Sequence, residues 1–366
     1  MHLAWTVLRD FRSYREVDFR PDPGVNVLVG DNGAGKTNIL EAIGYLSTLR
    51  SFRRAPDTAL VRDGAAEGIV RGGFTRPTGE VKVEVEVPAT GRRRILLNGK
   101  RPARHSLVAA EVPLVAFLPD DLDLVKRGPA LRREYLDDLV GRLAPAAGAD
   151  LAEYEKAVRQ RNALLRQEGR NADRMTIDAW DERIATLGSR ILSHRLSLLD
   201  GLTPAIEHAY RTVGGDSVVA WRYRSSWAGE EATGASRDPA AHAALLLEVL
   251  ASRRDRDMDQ RTTSAGPHRD DVVFLIDGRD SRIQASQGEQ RSIALSLRLA
   301  SYSALESFHG EAPMLLLDDV FSELDARRSA GVMELLPRGQ VFVTTAREDE
   351  VPVSGRTWRV AEGGIK

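Results

Sequence analysis

The chain has 366 residues, 42% of them hydrophobic and 29% charged, which is typical of a globular protein with room for two domains. It contains no cysteine, which excludes disulfides and thiolate metal sites, and its formal net charge of −1 means that any nucleic-acid surface must be local. No apolar run reaches the about 20 residues that cross a bilayer, and Met1–Trp5 lacks the layout of a signal peptide. We therefore expect a cytoplasmic protein with no membrane partner.

Three predicted strands lead to a glycine-rich loop. Strands are predicted at Leu3–Leu8 and Glu16–Phe19, with Phe11–Tyr14 between them, and a third at Val25–Val29. The next eight residues fit the pattern G-x-x-x-x-G-K-[ST] and precede a helix that is predicted to begin at Lys36. Strand, loop and helix in this order favour a phosphate-binding loop over an ordinary turn with an exposed lysine. The loop residues are Gly30, Asp31, Asn32, Gly33, Ala34, Gly35, Lys36 and Thr37.

Each part of this loop has a physical role. Glycines lack a Cβ, so the backbone can curl with its N–H groups turned towards phosphate oxygens. The N-terminus of the helix adds partial positive charge. Lys36 is expected to reach the β- and γ-phosphates, and the Thr37 hydroxyl to occupy one position on Mg²⁺.

A β-rich segment follows and carries local positive charge. Val81–Val87 alternates apolar and charged residues, as a half-exposed antiparallel strand does, and Asn98-Gly99 predicts a hairpin turn. The cluster Arg50–Arg54 fits either a solvated helix end or a phosphate contact. A second basic group near the turn could contact DNA phosphates or merely protect a sheet edge. Its members are Arg92, Arg93, Arg94, Lys100, Arg101 and Arg104.

Residues 128–262 are predicted to form a mostly helical arm. A buried strand at Leu114–Phe117 precedes it, and a strand is expected near Val218–Tyr223. Two of the helices carry apolar residues at three- and four-residue steps and would pack face to face, with Arg161 interrupting one apolar stripe. The predicted helices are Leu131–Leu143, Leu151–Gln167, Asp178–Leu202 and Asp238–Ser252.

The C-terminal part supplies acidic residues at the end of a buried strand. Met314–Leu317 is a continuous apolar run, typical of a strand buried on both faces, and ligands gather at the carboxyl ends of such strands. Asp318 is therefore predicted to hold Mg²⁺ opposite Thr37, and Asp319 to orient the attacking water. The alternative is that both acids cap the next helix. A last strand is predicted at Gln340–Thr345.

Ser286–Gln290 has the form Ser-x-Gly-x-Gln and opens a strongly helical run. A hydroxyl, a flexible backbone and a helix N-terminus together suit an anion. Taken alone, an ordinary N-cap serine would give the same pattern.

These motifs, in this order, together with Ser322–Asp325, resemble the head of an ABC-type ATPase. The interval between Thr37 and Ser286 is too short for the long coiled coils of SMC proteins. Within the SMC-like branch, the chain is most similar to the RecF family of bacterial recombination mediators. The segments that carry the similarity are Phe11–Tyr14, Gly30–Thr37, Arg50–Arg53, Gly266–Asp271, Ser286–Gln290 and Leu316–Asp325.

The resemblance implies an α/β fold: an ABC-type ATPase head, which is a P-loop NTPase with an antiparallel β subdomain, interrupted by a mostly helical arm. The head would comprise residues 1–127 and 263–366, and the arm residues 128–262. ATP and Mg²⁺ would be the cofactors, with Lys36, Asp318 and Asp319 catalytic and with Thr37 and Asp318 on the metal. The resemblance adds four residues to the ATP site, the last three from a second protomer: Arg12, Ser286, Gly288 and Gln290.

The resemblance also implies a cellular role. The protein would form an ATP-dependent homodimer, hydrolyse ATP slowly with stimulation by DNA, and bind DNA at single-strand gaps and junctions. With RecR and RecO it would promote RecA loading in DNA repair, replication restart and the SOS response.

Three features depart from ABC heads in general. Asp319 stands where a glutamate is usual, no histidine is present at Thr344-Thr345, and no glutamine occurs around Phe117–Asp120. The alternatives are an SMC-like head, a transporter ATPase subunit, a P-loop kinase for a small molecule, or a DNA clamp with a structural nucleotide. A kinase would leave Ser286–Gln290 without a purpose.

Overall fold

The computed structural model of the protein describes residues 1–229, 238–336, 338–348, 351–352, 355–361 and 363–366. The described strands are, in chain order, β1 (His2–Phe11), β2 (Tyr14–Phe19), β3 (Val25–Val29), β4 (Glu67–Arg76), β5 (Gly79–Pro88), β6 (Arg94–Leu97), β7 (Leu114–Phe117), β8 (Val219–Arg224), β9 (Asp271–Ile276), β10 (Arg279–Asp280), β11 (Met314–Asp318), β12 (Val341–Thr345), β13 (Arg356–Ala361) and β14 (Gly364–Ile365).

The described α-helices are, in chain order, α1 (Lys36–Thr48), α2 (Ser106–Glu111), α3 (Asp123–Lys126), α4 (Pro129–Leu143), α5 (Pro145–Glu168), α6 (Arg174–Val213), α7 (Pro239–Ser252), α8 (Arg254–Gln260), α9 (Ser281–Gln284), α10 (Gln287–His309) and α11 (Ala326–Glu334).

By its internal contacts the chain divides into two units. The first comprises residues 1–121, 208–215 and 291–366, and the second residues 122–207 and 216–290. The domain boundaries near residues 127 and 262 stay predictions.

The first unit contains two sheets with one helix between them. One sheet is antiparallel, in the order β2-β1-β4-β5-β6, and the other has the order β14-β13-β3-β12-β11-β7. In the second sheet β3, β7, β11, β12 and β13 are parallel. Helix α1 contacts strands of both sheets, which is why it is buried on nearly every side. The shared core includes Leu3, Ile39, Leu40, Val83 and Phe342.

Local patterns explain several of these elements. In β5 the valines at alternate positions are buried while Lys82 is exposed, so the strand has one core face and one solvent face. In β11 every residue is buried, as expected for a central parallel strand. Asn98 and Gly99 both adopt positive φ, and Leu97 and Lys100 exchange backbone hydrogen bonds of 2.8 and 3.1 Å, so the predicted tight turn is confirmed.

The second unit is mostly helical and includes a three-stranded antiparallel sheet of order β10-β9-β8. The four predicted arm helices are confirmed as α4, α5, α6 and α7. Helices α4, α5 and α6 extend beyond the predicted bounds at one or both ends, whereas α7 begins one residue later than predicted. The predicted strand near Val218–Tyr223 is β8.

Arg161, which interrupts the apolar stripe of α5, is fully buried among acids. Its guanidinium donates to Asp181 at 2.7 Å and to Asp257 at 2.8 Å, and both carboxylates have no solvent exposure. Asp181 also accepts from Arg254 at 2.9 Å. The interruption is therefore a buried ion-pair network that joins α5, α6 and α8 within this unit.

One prediction about strand order was wrong. Gln340–Thr345 was expected to contain the last strand, but β13 and β14 follow it, and β13 pairs with β3 on the side opposite β12. The P-loop strand is therefore internal to the sheet, with Trp358 of β13 donating to Asn26 of β3 at 3.0 Å. No helix among the described residues has both the length and the apolarity to span a membrane.

Candidate functional site

The glycine-rich loop follows β3 and is shaped by its glycines. Gly33 and Gly35 have φ values of +87° and +106°, a region that side chains disfavour. At Gly30 an added Cβ would lie 2.3 Å from the carbonyl oxygen of Val360 in β13, so only glycine fits there. The predicted start of the helix at Lys36 is confirmed, with Gly35 as its N-cap.

Lys36 folds back into the loop. Its ammonium donates to the carbonyl oxygens of Gly30 at 2.6 Å and Asp31 at 3.0 Å, and the residue is 8% exposed. Burial lowers the Lys36 pKa, while the negative charges of Asp319, Asp318 and Asp31 oppose that shift. The cation is thus held within the loop by two backbone carbonyls.

Asp318 lies at the carboxyl end of β11, next to the loop. Leu28 of β3, Thr344 of β12 and Asp318 are aligned across the parallel strands. One Asp318 oxygen accepts from the Thr37 hydroxyl at 3.0 Å and from the Thr344 hydroxyl at 2.7 Å. Burial raises the Asp318 pKa, and the two hydroxyl hydrogen bonds counteract the shift. The predicted proximity of Thr37 and Asp318 is therefore present in the structure.

Asp319 differs from its neighbour in both exposure and backbone. It is exposed, and its φ of +51° is left-handed, which turns the chain sharply at the end of β11. Its N–H donates to the Thr344 hydroxyl at 2.9 Å, and its carbonyl accepts from Ser322 at 2.9 Å. The carboxylate is thus a solvent-accessible group close enough to Lys36 to influence its charge.

Thr344 is a site residue that sequence reasoning missed. Its hydroxyl donates to Asp318 and accepts from the Asp319 backbone, so one side chain fixes both acids. The sequence indicated only that no histidine stands here. Its place at the C-terminus of a buried strand, where ligands gather, was the available clue.

Two further segments meet on the first turns of α1. Arg12 lies in the β1–β2 turn and forms a two-point ion pair with the buried Glu41, at 2.7 and 2.8 Å. Ser51 also donates to Glu41. Asn38 donates to Ser13 at 2.9 Å and accepts from Arg53 at 3.4 Å. Phe11–Tyr14 and Arg50–Arg53 therefore flank the helix that begins in the loop.

Arg53 lies close enough to Asp318 to influence its ionisation, and its positive charge opposes the raised pKa of that carboxyl. It is also exposed. The cluster Arg50–Arg54 was interpreted either as a solvated helix end or as a phosphate contact. The position of Arg53 beside Asp318 is compatible with a phosphate contact.

Ser286–Gln290 opens α10 as predicted. The Ser286 hydroxyl accepts from the Glu289 N–H at 3.3 Å, and the Glu289 carboxylate accepts from the Ser286 N–H at 2.7 Å, which forms a capping box. The Gln290 side chain is buried and donates to the Ser281 carbonyl at 2.9 Å. This segment lies in the second unit and contributes a helix N-terminus with a serine hydroxyl.

The donor set beside the loop fits Mg²⁺. This ion prefers hard oxygen ligands and binds through few protein groups, with phosphates and waters completing its shell. Thr37 and Asp318 offer a hydroxyl and a carboxylate in contact with each other. Among the described residues no group of three or more His, Cys, Asp or Glu could hold a metal by itself.

Comparison with known proteins gives consistent matches along the whole chain. The family described as RecF/RecN/SMC N terminal domain matches residues 2–364. A protein of Frankia alni named DNA replication and repair protein RecF is 40% identical over 375 residues, covering 100% of this chain and 99% of that protein. A protein of the same name from Streptomyces avermitilis is 39% identical over 377 residues and covers 100% of both.

A solved structure described as the recombination mediator protein RecF with ATP, in the RecFOR pathway, is also similar. It superposes with a TM-score of 0.92 at 30% identity and covers 100% of this chain and 97% of that one.

Proposed function

The chain belongs to the RecF family of the SMC-like ATPases, and we propose on that premise that it binds ATP at Gly30–Thr37, dimerises on it and hydrolyses it slowly while acting on DNA. The observation that carries the proposal is the contact of Thr37 and Asp318 at the carboxyl ends of parallel strands, with Thr344 beside them. A P-loop serine or threonine and a strand-end aspartate are the pair that P-loop ATPases use for the metal.

Lys36 is the main contact for the triphosphate. In the free loop its ammonium is bonded to two carbonyls, and an incoming phosphate offers full negative charge in their place. The loop N–H groups from Asp31 to Thr37 and the N-terminus of α1 hold the remaining phosphate charge. Arg12 is proposed as a further ATP contact; without nucleotide its guanidinium donates to Glu41 and to the Ala59 carbonyl.

Thr37 and Asp318 would hold Mg²⁺. The ion, when bound, neutralises charge on the β- and γ-phosphates and orients them. Asp318 must be ionised for this, and the two hydroxyls that donate to it favour the ionised form despite burial. Thr344 keeps the carboxylate turned towards Thr37.

Asp319 is the residue that orients the attacking water. Its exposure leaves the carboxylate accessible, and its backbone is fixed by Thr344 and Ser322. Aspartate is one methylene shorter than the glutamate usual at this place, so its reach to an in-line water is poorer. We therefore propose slow turnover, suited to a switch rather than to sustained catalysis.

We also propose that Ser286, Gly288 and Gln290 act on the ATP held by a second protomer. A helix N-terminus with a serine cap attracts anions. In a single chain the Glu289 carboxylate accepts from the Ser286 N–H and so already provides negative charge at the start of α10. The γ-phosphate of the partner's ATP would replace that internal carboxylate. ATP then bridges two copies, and hydrolysis separates them by removing the bridging group.

DNA is the proposed macromolecular ligand. The exposed cations near the Asn98-Gly99 turn are Arg92, Arg94, Lys100, Arg101 and Arg104. Arg93 is instead held by Asp57 at 3.1 Å and by the Leu49 carbonyl at 2.6 Å. The five exposed cations can neutralise backbone phosphates, and log affinity should fall with log salt by about 0.9 per phosphate contacted. The names of the relatives support a role in replication and repair.

The RecFOR description of a similar structure supports cooperation with RecO and RecR. We propose that the ATP-bound dimer binds gapped or junction DNA, recruits RecR and RecO, and so promotes RecA loading during repair, replication restart and the SOS response. A cytoplasmic site of action follows from these partners.

Light scattering after size exclusion tests the proposal. The protein should be monomeric alone and with ADP, dimeric with ATP, and retained on gapped DNA with ATP. Phosphate release should increase with DNA, which a clamp with a structural nucleotide would not show. A monomer under every nucleotide condition would contradict the proposal, and ATP-dependent association without DNA binding would favour a transporter-type ATPase subunit.

A further inference from the structure

The β1–β2 turn packs directly against the phosphate loop. If Gly35 carried a Cβ, that atom would lie 2.6 Å from the Tyr14 hydroxyl oxygen and 3.1 Å from the Ser13 hydroxyl oxygen. Ser13 is in turn bonded to Asn38, one residue after Thr37. The ring of Tyr14 therefore supports the loop at Gly35, the N-cap of α1.

The Tyr14 hydroxyl is a buried donor without an acceptor. The residue is 0% exposed, and within the described part of the chain its hydroxyl has no hydrogen-bond partner. Burial raises its pKa, so the hydroxyl keeps its proton at neutral pH. An unpaired buried hydroxyl costs stability, and any state that supplies an acceptor recovers that cost.

The phosphate loop can supply the acceptor when it closes on a ligand. As its backbone N–H groups turn inward to phosphate oxygens, the carbonyls of the same peptides turn outward. At the same time Lys36 leaves the carbonyls of Gly30 and Asp31 for the phosphates. The Tyr14 hydroxyl is buried against the backbone of Gly35, so a shift of the loop would bring a peptide carbonyl to it.

We propose that Tyr14 is a positioning residue for the nucleotide, whose hydroxyl donates to a peptide carbonyl of the loop Gly30–Gly35 only when phosphates fill it. This rests on the proposed binding of ATP at that loop. The Tyr14 hydroxyl bonds to the loop backbone and does not touch the nucleotide. Because ATP and ADP both place phosphates against this loop, the hydroxyl should increase the affinity for both nucleotides by the same factor.

Tyr14→Phe is the test, because it removes the hydroxyl and keeps the ring. Its Kd for ATP and for ADP should rise roughly three- to tenfold, the effect of losing about one hydrogen bond. Its melting temperature without nucleotide should equal or exceed that of the wild type. The readout is isothermal titration calorimetry with each nucleotide, together with thermal unfolding in its absence.

Tyr302→Phe is the matched control. Tyr302 belongs to the same unit, is 4% exposed, and its hydroxyl has no hydrogen-bond partner among the described residues. It lies beside Gly339, and its loss should leave both Kd values unchanged.

Two results would overturn the inference. One is a Tyr14→Phe protein that binds both nucleotides as tightly as the wild type. The other is a lower melting temperature without nucleotide, which would mean that the hydroxyl already has its partner in the free protein. A wild-type protein that binds neither nucleotide would instead refute the proposed function itself.

Discussion

Replacing Thr344 with valine removes a hydroxyl that fixes both acids of the site while keeping the shape of the side chain. The hydroxyl donates to Asp318 at 2.7 Å and accepts from the Asp319 N–H at 2.9 Å, and Thr344 is 1% exposed. A hydrogen bond to a charged group contributes about 1.5–3 kcal/mol and a neutral one about 0.5–1.5 kcal/mol. We therefore expect Thr344→Val to reduce the free energy of unfolding by about 2–4 kcal/mol.

The same change should alter metal dependence. Without the Thr344 hydroxyl, Asp318 loses one of the two donors that favour its ionised form, so its pKa rises further. The Mg²⁺ concentration for half-maximal ATP binding should increase several-fold in Thr344→Val, measured with a fluorescent ATP analogue across a Mg²⁺ titration.

The adjacent Thr345 provides the control. It is equally buried on β12, but its hydroxyl bonds to the Arg347 backbone at 2.9 and 3.1 Å. Thr345→Val should lower stability while leaving the Mg²⁺ requirement unchanged. If both variants required the same Mg²⁺ concentration as the wild type, the role assigned to Thr344 would be refuted.

Three further predictions follow from the same contacts. Asp319→Asn should bind ATP and dimerise normally but lose phosphate release in a steady-state assay, and retained turnover would assign the water to another residue. Arg161→Met should destabilise the protein by about 3–5 kcal/mol in chemical denaturation, because it leaves the buried Asp257 carboxylate without its cation and leaves Asp181 with Arg254 alone. A loss within error of zero would refute the network. ATP affinity should fall at high pH, as Lys36 loses its proton, because burial lowers the Lys36 pKa below the ordinary 10.5. With Mg²⁺, affinity should also fall at low pH, as Asp318 gains a proton, because burial raises the Asp318 pKa above 3.8. An affinity profile bounded by the ordinary values would contradict the burial of these groups.

The phosphate-loop half of the site could be predicted nearly to the residue. Val25–Val29 and the helix start at Lys36 agree with the structure because local rules determine them: a buried strand, glycines at positive φ and a helix N-terminus. The buried strand Leu114–Phe117 was predicted with its observed bounds for the same reason. The resemblance to the RecF family and the ATPase-head fold are confirmed by the comparisons.

What the sequence did not indicate depends on contacts between distant segments. The role of Thr344 arises only when β12 is placed beside β11. The place of Arg161 in the apolar stripe of α5 is explained only by its ion pairs with Asp181 and Asp257, which lie on other helices. Strand β13 was missed because its burial is partial, and only pairing with β3 identifies it. The assignments of ATP, metal and partner-protomer contacts stay predictions.

A mixing experiment tests the shared site most directly. Lys36→Met should prevent ATP binding and leave Ser286 intact, whereas Ser286→Arg should bind ATP but present no usable serine to a partner. Ser286→Asp serves as the control variant, because aspartate keeps the N-cap of α10 but repels phosphate. It should behave like Ser286→Arg.

Light scattering with a slowly hydrolysed ATP analogue gives the result. Each variant alone should remain monomeric, and an equimolar mixture of Lys36→Met with Ser286→Arg should form dimers, because it assembles one complete site from two incomplete chains. A mixture that stays monomeric, or a Ser286→Arg protein that dimerises alone as tightly as the wild type, would contradict the proposal that ATP is held between two protomers.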